Sequence, residues 1–199
     1  MTEKQRQIAI GTLLGDGWLQ RASLRIKQCK EHVDYVFWLH KQLGNLCKSV
    51  PKQRKDNYQW YFQTRSIPEI EELRKQFYPK GKKVVPSKIE ELLKTPLSLA
   101  IWFMDDGTLD WRPKDHYAFR FATNCFSIIE CKKLVEVLAK NFGIVATVQT
   151  TLIRGKRYPR IYIGKLGRER FRELIKPHIV NCFSYKLPPI SNPSETVLL

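Results

Sequence analysis

The chain has 199 residues, enough for one sizeable core or for two small halves that share one. A hydrophobic fraction of 43% with 12% aromatic residues excludes a disordered or low-complexity protein. Thirty-five Lys and Arg against 19 Asp and Glu leave a formal charge of +16. The excess is spread along the chain rather than held in a tail, which predicts a folded basic surface of the kind that binds nucleic acid; ribosomal-type cladding or a plain solvated basic face has the same charge signature.

The five cysteines (Cys29, Cys47, Cys125, Cys131, Cys182) form no CxxC pair, so reduced thiols in an intracellular protein are expected rather than a disulfide framework. The four histidines do not cluster with them, which argues against a zinc site. The opening stretch "MTEKQRQIAIGTLLGDGWL" resembles neither a secretory signal nor a transit peptide, and no apolar run approaches membrane-spanning length. No membrane partner is therefore expected.

In chain order, a first helix begins at Thr2, with Gln5 as capping-box partner, and stops at Gly17. A strand follows at 22–28 ("ASLRIKQ"), then an amphipathic helix at 31–44 ending on Gly44. A basic hairpin spans 48–64, and a short helix 66–79. The order then repeats. A helix opens at "TPLS", with Thr95 as N-cap and Pro96 at the first helical position, and stops at Gly107. A strand at 117–124, a helix at 127–143 ending on Gly143, a hairpin at 146–164 and a helix at 167–179 complete the second set. Each half reads helix–strand–strand–helix–strand–strand–helix, an α+β chain of two αββαββα halves, 1–90 and 91–199. The join lies near 88–96, and with no flexible linker there the halves should pack as one body.

The repeat has a chemical centre. "IAIGTLLGDG" (8–17) and "SLAIWFMDDG" (98–107) are mostly apolar runs that each end in Asp-Gly, with Asp16 and Asp106 at matching places. Gly11 and Gly15 lie four apart on one helical face, where a second helix can approach closely. If the two helices pack in parallel, their C-termini meet and the aspartates converge. There the helix dipoles and mutual repulsion both disfavour negative charge, an arrangement that suits divalent cations. The pair is unequal, because Ile101 and Asp105 stand where the first copy has Gly11 and Gly15; Asp105 is expected as a solvated or phosphate-proximal neighbour, with a second metal ligand as the alternative. Other motif readings fail: "DDGT" has the glycine on the wrong side of the threonine for an aspartic protease. "DDGTLD" lacks EF-hand spacing, and there is no P-loop, zinc-protease helix or nucleophile elbow.

"AIGTLLGDG" and "LAIWFMDDG" resemble two copies of the LAGLIDADG motif in a single-chain homing endonuclease, and the likeness covers almost the whole chain. It implies a saddle of antiparallel sheets on double-stranded DNA. Each Asp would serve one strand across the minor groove, and the sheets would lie in the flanking major grooves. The target would be pseudo-palindromic, of roughly 20 base pairs, and read with some tolerance. It also implies Asp16 and Asp106 as ligands of Mg²⁺ (Mn²⁺ or Ca²⁺ can substitute), helped by the carbonyls of Gly15 and Asp105. Water-orienting groups would be Gln28 and, at the matching place, Asn124; "KKVVP" and "YKLP" point to Lys83 and Lys186 as the basic residues. Side chains suited to base readout are Ser23, Arg25 and Lys27, then Gln59, Tyr61 and Gln63. In the second half they are Arg120, Gln149, Thr151, Arg154, Lys156, Arg157, Arg160 and Tyr162. The expectation is a monomeric, intron-encoded enzyme, organellar (mitochondrion or chloroplast) or in a bacterial cytoplasm. The alternatives are an RNA maturase that binds its own intron, or a DNA-binding protein on a degenerate nuclease scaffold.

Overall fold

A computed structural model describes residues 1–112 and 116–189. Helix α1 spans Glu3–Leu14, and its first turn is closed by the expected capping box between Thr2 and Gln5. It ends a turn earlier than the Gly17 stop, because the chain leaves the helix at Gly15 and the Gly17 N–H folds back onto the Thr12 carbonyl at 2.9 Å. Strands β1 (Trp18–Gln20) and β2 (Ser23–Gln28), helix α2 (Val33–Leu43), strands β3 (Lys52–Gln53) and β4 (Trp60–Gln63), and helix α3 (Pro68–Phe77) complete the first half. A short helix, α4 (Ile89–Leu92), lies in the join.

The second half repeats the order. Helix α5 (Pro96–Asp106) starts with the Thr95 side chain accepting from the Ser98 N–H. Strands β5 (Gly107–Arg112) and β6 (His116–Ala122), helix α6 (Ile128–Phe142), strands β7 (Thr147–Ile153) and β8 (Lys156–Ile163), and helix α7 (Arg168–Ile175) follow. Helix α6 has its own capping box, Ser127 with Glu130, and a left-handed Gly143 at its end. Both sheets are four-stranded and antiparallel, in the equivalent orders β1-β2-β4-β3 and β5-β6-β8-β7. The hairpins differ in length: β1 has three residues where β5 has six, and β3 has two where β7 has seven.

Alternation decides what each sheet buries. Leu24, Ile26 and Phe62 face inward in the first half; Phe119, Phe121, Ile161 and Ile163 do so in the second. Tyr35 and Phe77 fill the first core, and Trp102 stacks on Phe121 at 4.0 Å in the second. No helix among the described residues is long and apolar enough to cross a membrane.

The halves meet along α1 and α5, which run parallel: Gly11 lies against Ser98 and Ile101, and Gly15 against Asp105. A Cβ at Gly11 would sit 2.5 Å from the Ser98 carbonyl oxygen and 2.9 Å from the Ile101 Cβ. At the N-terminal end buried Gln7 clasps the join: it donates to the Leu92 carbonyl at 3.1 Å and accepts from the Lys94 N–H and the Thr95 hydroxyl. Cross-half bonds from the Val85 N–H to Glu130 and from Asn141 to the Glu90 carbonyl add to it, and Asn141 also holds the Leu93 carbonyl at the join. In an uncrowded helix interior Gly→Ala stabilises by about 1 kcal/mol. Here Gly11→Ala should lower stability by about 1–3 kcal/mol, because the backbone of α5 must move away. A urea midpoint equal to or above wild type would contradict that close approach.

Candidate active site and nucleic-acid interface

The parallel approach of α1 and α5 brings their C-termini together. Asp16 follows the end of α1 and is exposed; Asp106 is the last residue of α5 and is partly buried. Gln28, the last residue of β2, is buried and donates its amide to Asp16 Oδ2 at 3.0 Å and to Asp105 Oδ1 at 3.3 Å. The two lysines occupy matching places. Lys83 Nζ donates to the Gly15 carbonyl at 2.6 Å and the Gly17 carbonyl at 3.1 Å, and Lys186 Nζ to the Met104 carbonyl at 2.6 Å. Each ammonium therefore caps the negative end of a motif helix, where the carbonyls lack partners of their own.

Two expectations change. Asp105 is not a solvated neighbour: its carboxylate fills the notch left by Gly15 and accepts from Gln28, from the Tyr35 hydroxyl at 3.0 Å and from the Asp16 N–H at 3.2 Å. Asn124 lies in the turn beyond β6, exposed, and no hydrogen bond among the described residues joins it to Asp106. Tyr35 escaped the sequence reading because a tyrosine on the apolar face of an amphipathic helix reads as core. Its signal was the hydroxyl, which needs a partner when buried.

Three carboxylates share this space. Burial, and after it the charge of Asp16, pushes Asp106 up to about 7, with Lys83 and Lys186 pulling the other way. Burial and the charges of Asp16 and Asp106 hold Asp105 well above the usual carboxylate range, opposed by its bonds from Tyr35 and the Asp16 N–H. Burial lowers both lysines, and the carboxylates partly offset that. Burial and the neighbouring Asp105 charge keep Tyr35 a hydroxyl donor. This excess of negative charge at two helix C-termini, made of hard oxygen donors, fits a divalent cation. Among the described residues no three His, Cys, Asp or Glu side chains form a ready chelate, so the donor set is open and leaves places for water or phosphate oxygens.

Strand register sorts the candidate DNA-contacting residues. Arg25 lies opposite Gln63 and Lys27 opposite Tyr61, on one face; Gln59 precedes β4 and its carbonyl accepts from the Arg54 N–H at 2.9 Å. In the second sheet Arg120 lies opposite Tyr162, its guanidinium 5.8 Å from the ring centroid, and Gln149 opposite Arg160; Thr151 and Lys156 share that face. Arg154 forms the two-residue turn with Gly155, both at positive φ, while alternation puts Arg157 on the opposite face from Arg160. Ser23, expected beside Arg25 and Lys27, is buried instead, and its hydroxyl donates to the Thr64 carbonyl at 2.6 Å. Arg120 is held by Asp110 at 2.6 Å. Nε of Arg25, Arg120 and Arg160 and Oε1 of Gln59 are shielded from solvent without a hydrogen-bond partner among the described residues. The face thus carries guanidinium, amide and aromatic groups.

Known proteins resemble this chain in sequence and in fold. The profile of the LAGLIDADG DNA endonuclease family matches residues 6–171. The DNA endonuclease I-ChuI of Chlamydomonas applanata is 31% identical over 94% of this chain and 95% of its own length. The cytochrome b mRNA maturase bI2 of Debaryomyces hansenii is 29% identical over 94% of this chain and 74% of its own length. The solved structure of the homing endonuclease I-WcaI bound to its DNA recognition sequence superposes with a TM-score of 0.79 at 24% identity, covering 94% of this chain and 87% of that one. With two motif helices, two matching sheets and a family match over most of its length, this chain belongs to the LAGLIDADG homing endonucleases, in the single-chain form with two pseudo-symmetric halves.

Proposed function

We propose that the protein is a monomeric, intron-encoded, Mg²⁺-dependent endonuclease that cuts both strands of a long pseudo-palindromic DNA target. The observation that carries this reading is the convergence of Asp16 and Asp106 at two parallel helix ends, each helix end capped by a matching lysine. Asp16 and Asp106 would hold the metal, which when bound supplies Lewis-acid activation of water and of the scissile phosphate. The exposed Asp16 is oriented by Gln28, whose amide fixes one carboxylate oxygen and leaves the other free. Lys83 and Lys186 put positive charge where a phosphodiester gains negative charge during hydrolysis. Arg25, Lys27, Arg120 and Arg160 would anchor and read the duplex, with Tyr61, Gln63, Gln149 and Tyr162 adding base-edge chemistry. A maturase reading is favoured by one observation, the similarity to a protein named as an mRNA maturase.

Targets recovered by repeated binding selection from random duplexes, then placed in a supercoiled plasmid, should be linearised with Mg²⁺ and stay intact in EDTA. Asp16→Asn and Asp106→Asn should each slow cutting on the order of 10²- to 10⁴-fold. Variants that cut like wild type would sink the mechanism, and tight binding of intron RNA with no nicking of any selected DNA would favour the maturase.

Asp106 gives a pH test that needs no DNA. Its proton is held more tightly in the folded protein (about 7) than at the ordinary 3.8. Between those values the folded state binds more protons than the unfolded chain, so this group lowers metal-free stability as pH rises through that window. A divalent cation should offset the repulsion above it. Ca²⁺ should therefore raise the melting temperature more at pH 8 than at pH 5, and Asp106→Asn should shrink the difference, with Asp105, which is also raised, supplying what remains. Equal shifts at both pH values would contradict the assignment.

A further inference from the structure

The two aspartates are not held alike. Asp16 Oδ2 receives the Gln28 amide, and the same amide reaches Asp105 Oδ1. Asp105 belongs to the second half, yet all three of its donors, Gln28, the Tyr35 hydroxyl and the Asp16 N–H, belong to the first. Tyr35 is itself wedged between halves. Its ring meets Phe183 edge-on at 5.0 Å, and its side chain is fully buried. Among the described residues no side chain donates to the Asp106 carboxylate as Gln28 does to Asp16. The place that matches Asp105 is Gly15, which has no side chain, and Asn124 makes no bond to Asp106.

The geometry points to Asp105 and Tyr35 as positioning residues of one half-site: a chain from Tyr35 through Asp105 and Gln28 holds the Asp16 carboxylate, so the two strand cuts depend on different residues. Asp105 is donated across the interface into the notch of Gly15. It fixes the rotamer of Gln28 by offering the amide a second acceptor. It also ties the chain just after α1 through the Asp16 N–H. Tyr35, itself fully buried, donates to Oδ1 of Asp105, the oxygen that also accepts from Gln28. Displacing Gln28 by even part of an ångström would misplace Asp16, a kind of error that costs on the order of 10- to 100-fold in rate. None of these hydrogen bonds reaches the Asp106 carboxylate.

This inference rests on the nuclease reading, and the experiment separates the two. A supercoiled plasmid bearing a selected target is cut by wild type and by Tyr35→Phe, Asp105→Asn, Asp16→Asn and Asp106→Asn, and the nicked strand is mapped with end-labelled duplex. Tyr35→Phe, which keeps the buried ring, should bind DNA as wild type in EDTA yet accumulate open circles. The strand it leaves uncut should be the one that Asp16→Asn leaves uncut, slowed about tenfold or more. Asp105→Asn should show the same bias more strongly. Equal slowing of both strands, no slowing at all, or sparing of the Asp106→Asn strand would overturn the proposal. Failure of wild type to cut any target would instead fail the nuclease reading. A double-mutant cycle in urea still decides the network in that event: Tyr35→Phe and Asp105→Asn should be non-additive, and additive effects would overturn it.

Discussion

Everything in this molecule depends on how closely two parallel helices can approach. Parallel packing aligns the dipoles of α1 and α5, which is electrostatically unfavourable, and it delivers both negative ends to one point. Shape makes the approach possible: Gly11 receives Ile101, and Gly15 receives Asp105, so the small residues of one helix accept the large residues of the other. The interface is therefore pseudo-symmetric in backbone but reciprocal in side chains, as only a single chain carrying two different motif copies can arrange.

The cost of this geometry appears at the helix C-termini. Two sets of unpaired carbonyls and three carboxylates crowd a partly buried space, and the response is built from both halves. Lys83 and Lys186 satisfy the carbonyls from segments that pack across the join, Val85 on Glu130 in one case and Phe183 on Tyr35 in the other. Each lysine also opposes the charge of Asp106. The same elements that stabilise the interface thus set the electrostatics of the site, and the halves cannot separate without losing it.

Local rules made much of this legible. Thr2 with Gln5, Thr95 with Pro96, and Ser127 with Glu130 are capping chemistry written within four residues, and the helices begin where they say. Alternation in β2 and β6 is likewise local and sorted Leu24, Ile26, Phe119 and Phe121 inward. The misreadings arise where a distant partner decides. Ser23 follows the groove-facing parity, but Thr64 on the neighbouring strand offers its carbonyl and buries it. Asp105 reads as a spare acid beside Asp106, and only the notch at Gly15 and the hydroxyl of Tyr35 give it a role. The α1 terminus slipped because Gly15, not Gly17, is where the backbone turns out.

Unequal halves carry over to the surface proposed to face DNA. Three residues in β1 against six in β5, at about 3.3 Å per residue, make the inner hairpins differ by about 10 Å in length. The shorter one carries Trp18 and Lys27 near its base, whereas the longer one ties Arg120 and Arg112 to Asp110. A carboxylate on a basic groove face repels phosphate and fixes guanidinium orientation, which favours selective contacts over indiscriminate ones. A duplex laid across these sheets would meet different reach and different chemistry on its two sides. Two-fold symmetry in this protein thus holds for the order of elements and for the pairs Asp16 with Asp106 and Lys83 with Lys186. Gly11 against Ile101 and Gly15 against Asp105 depart from it, each small residue making room for a larger neighbour.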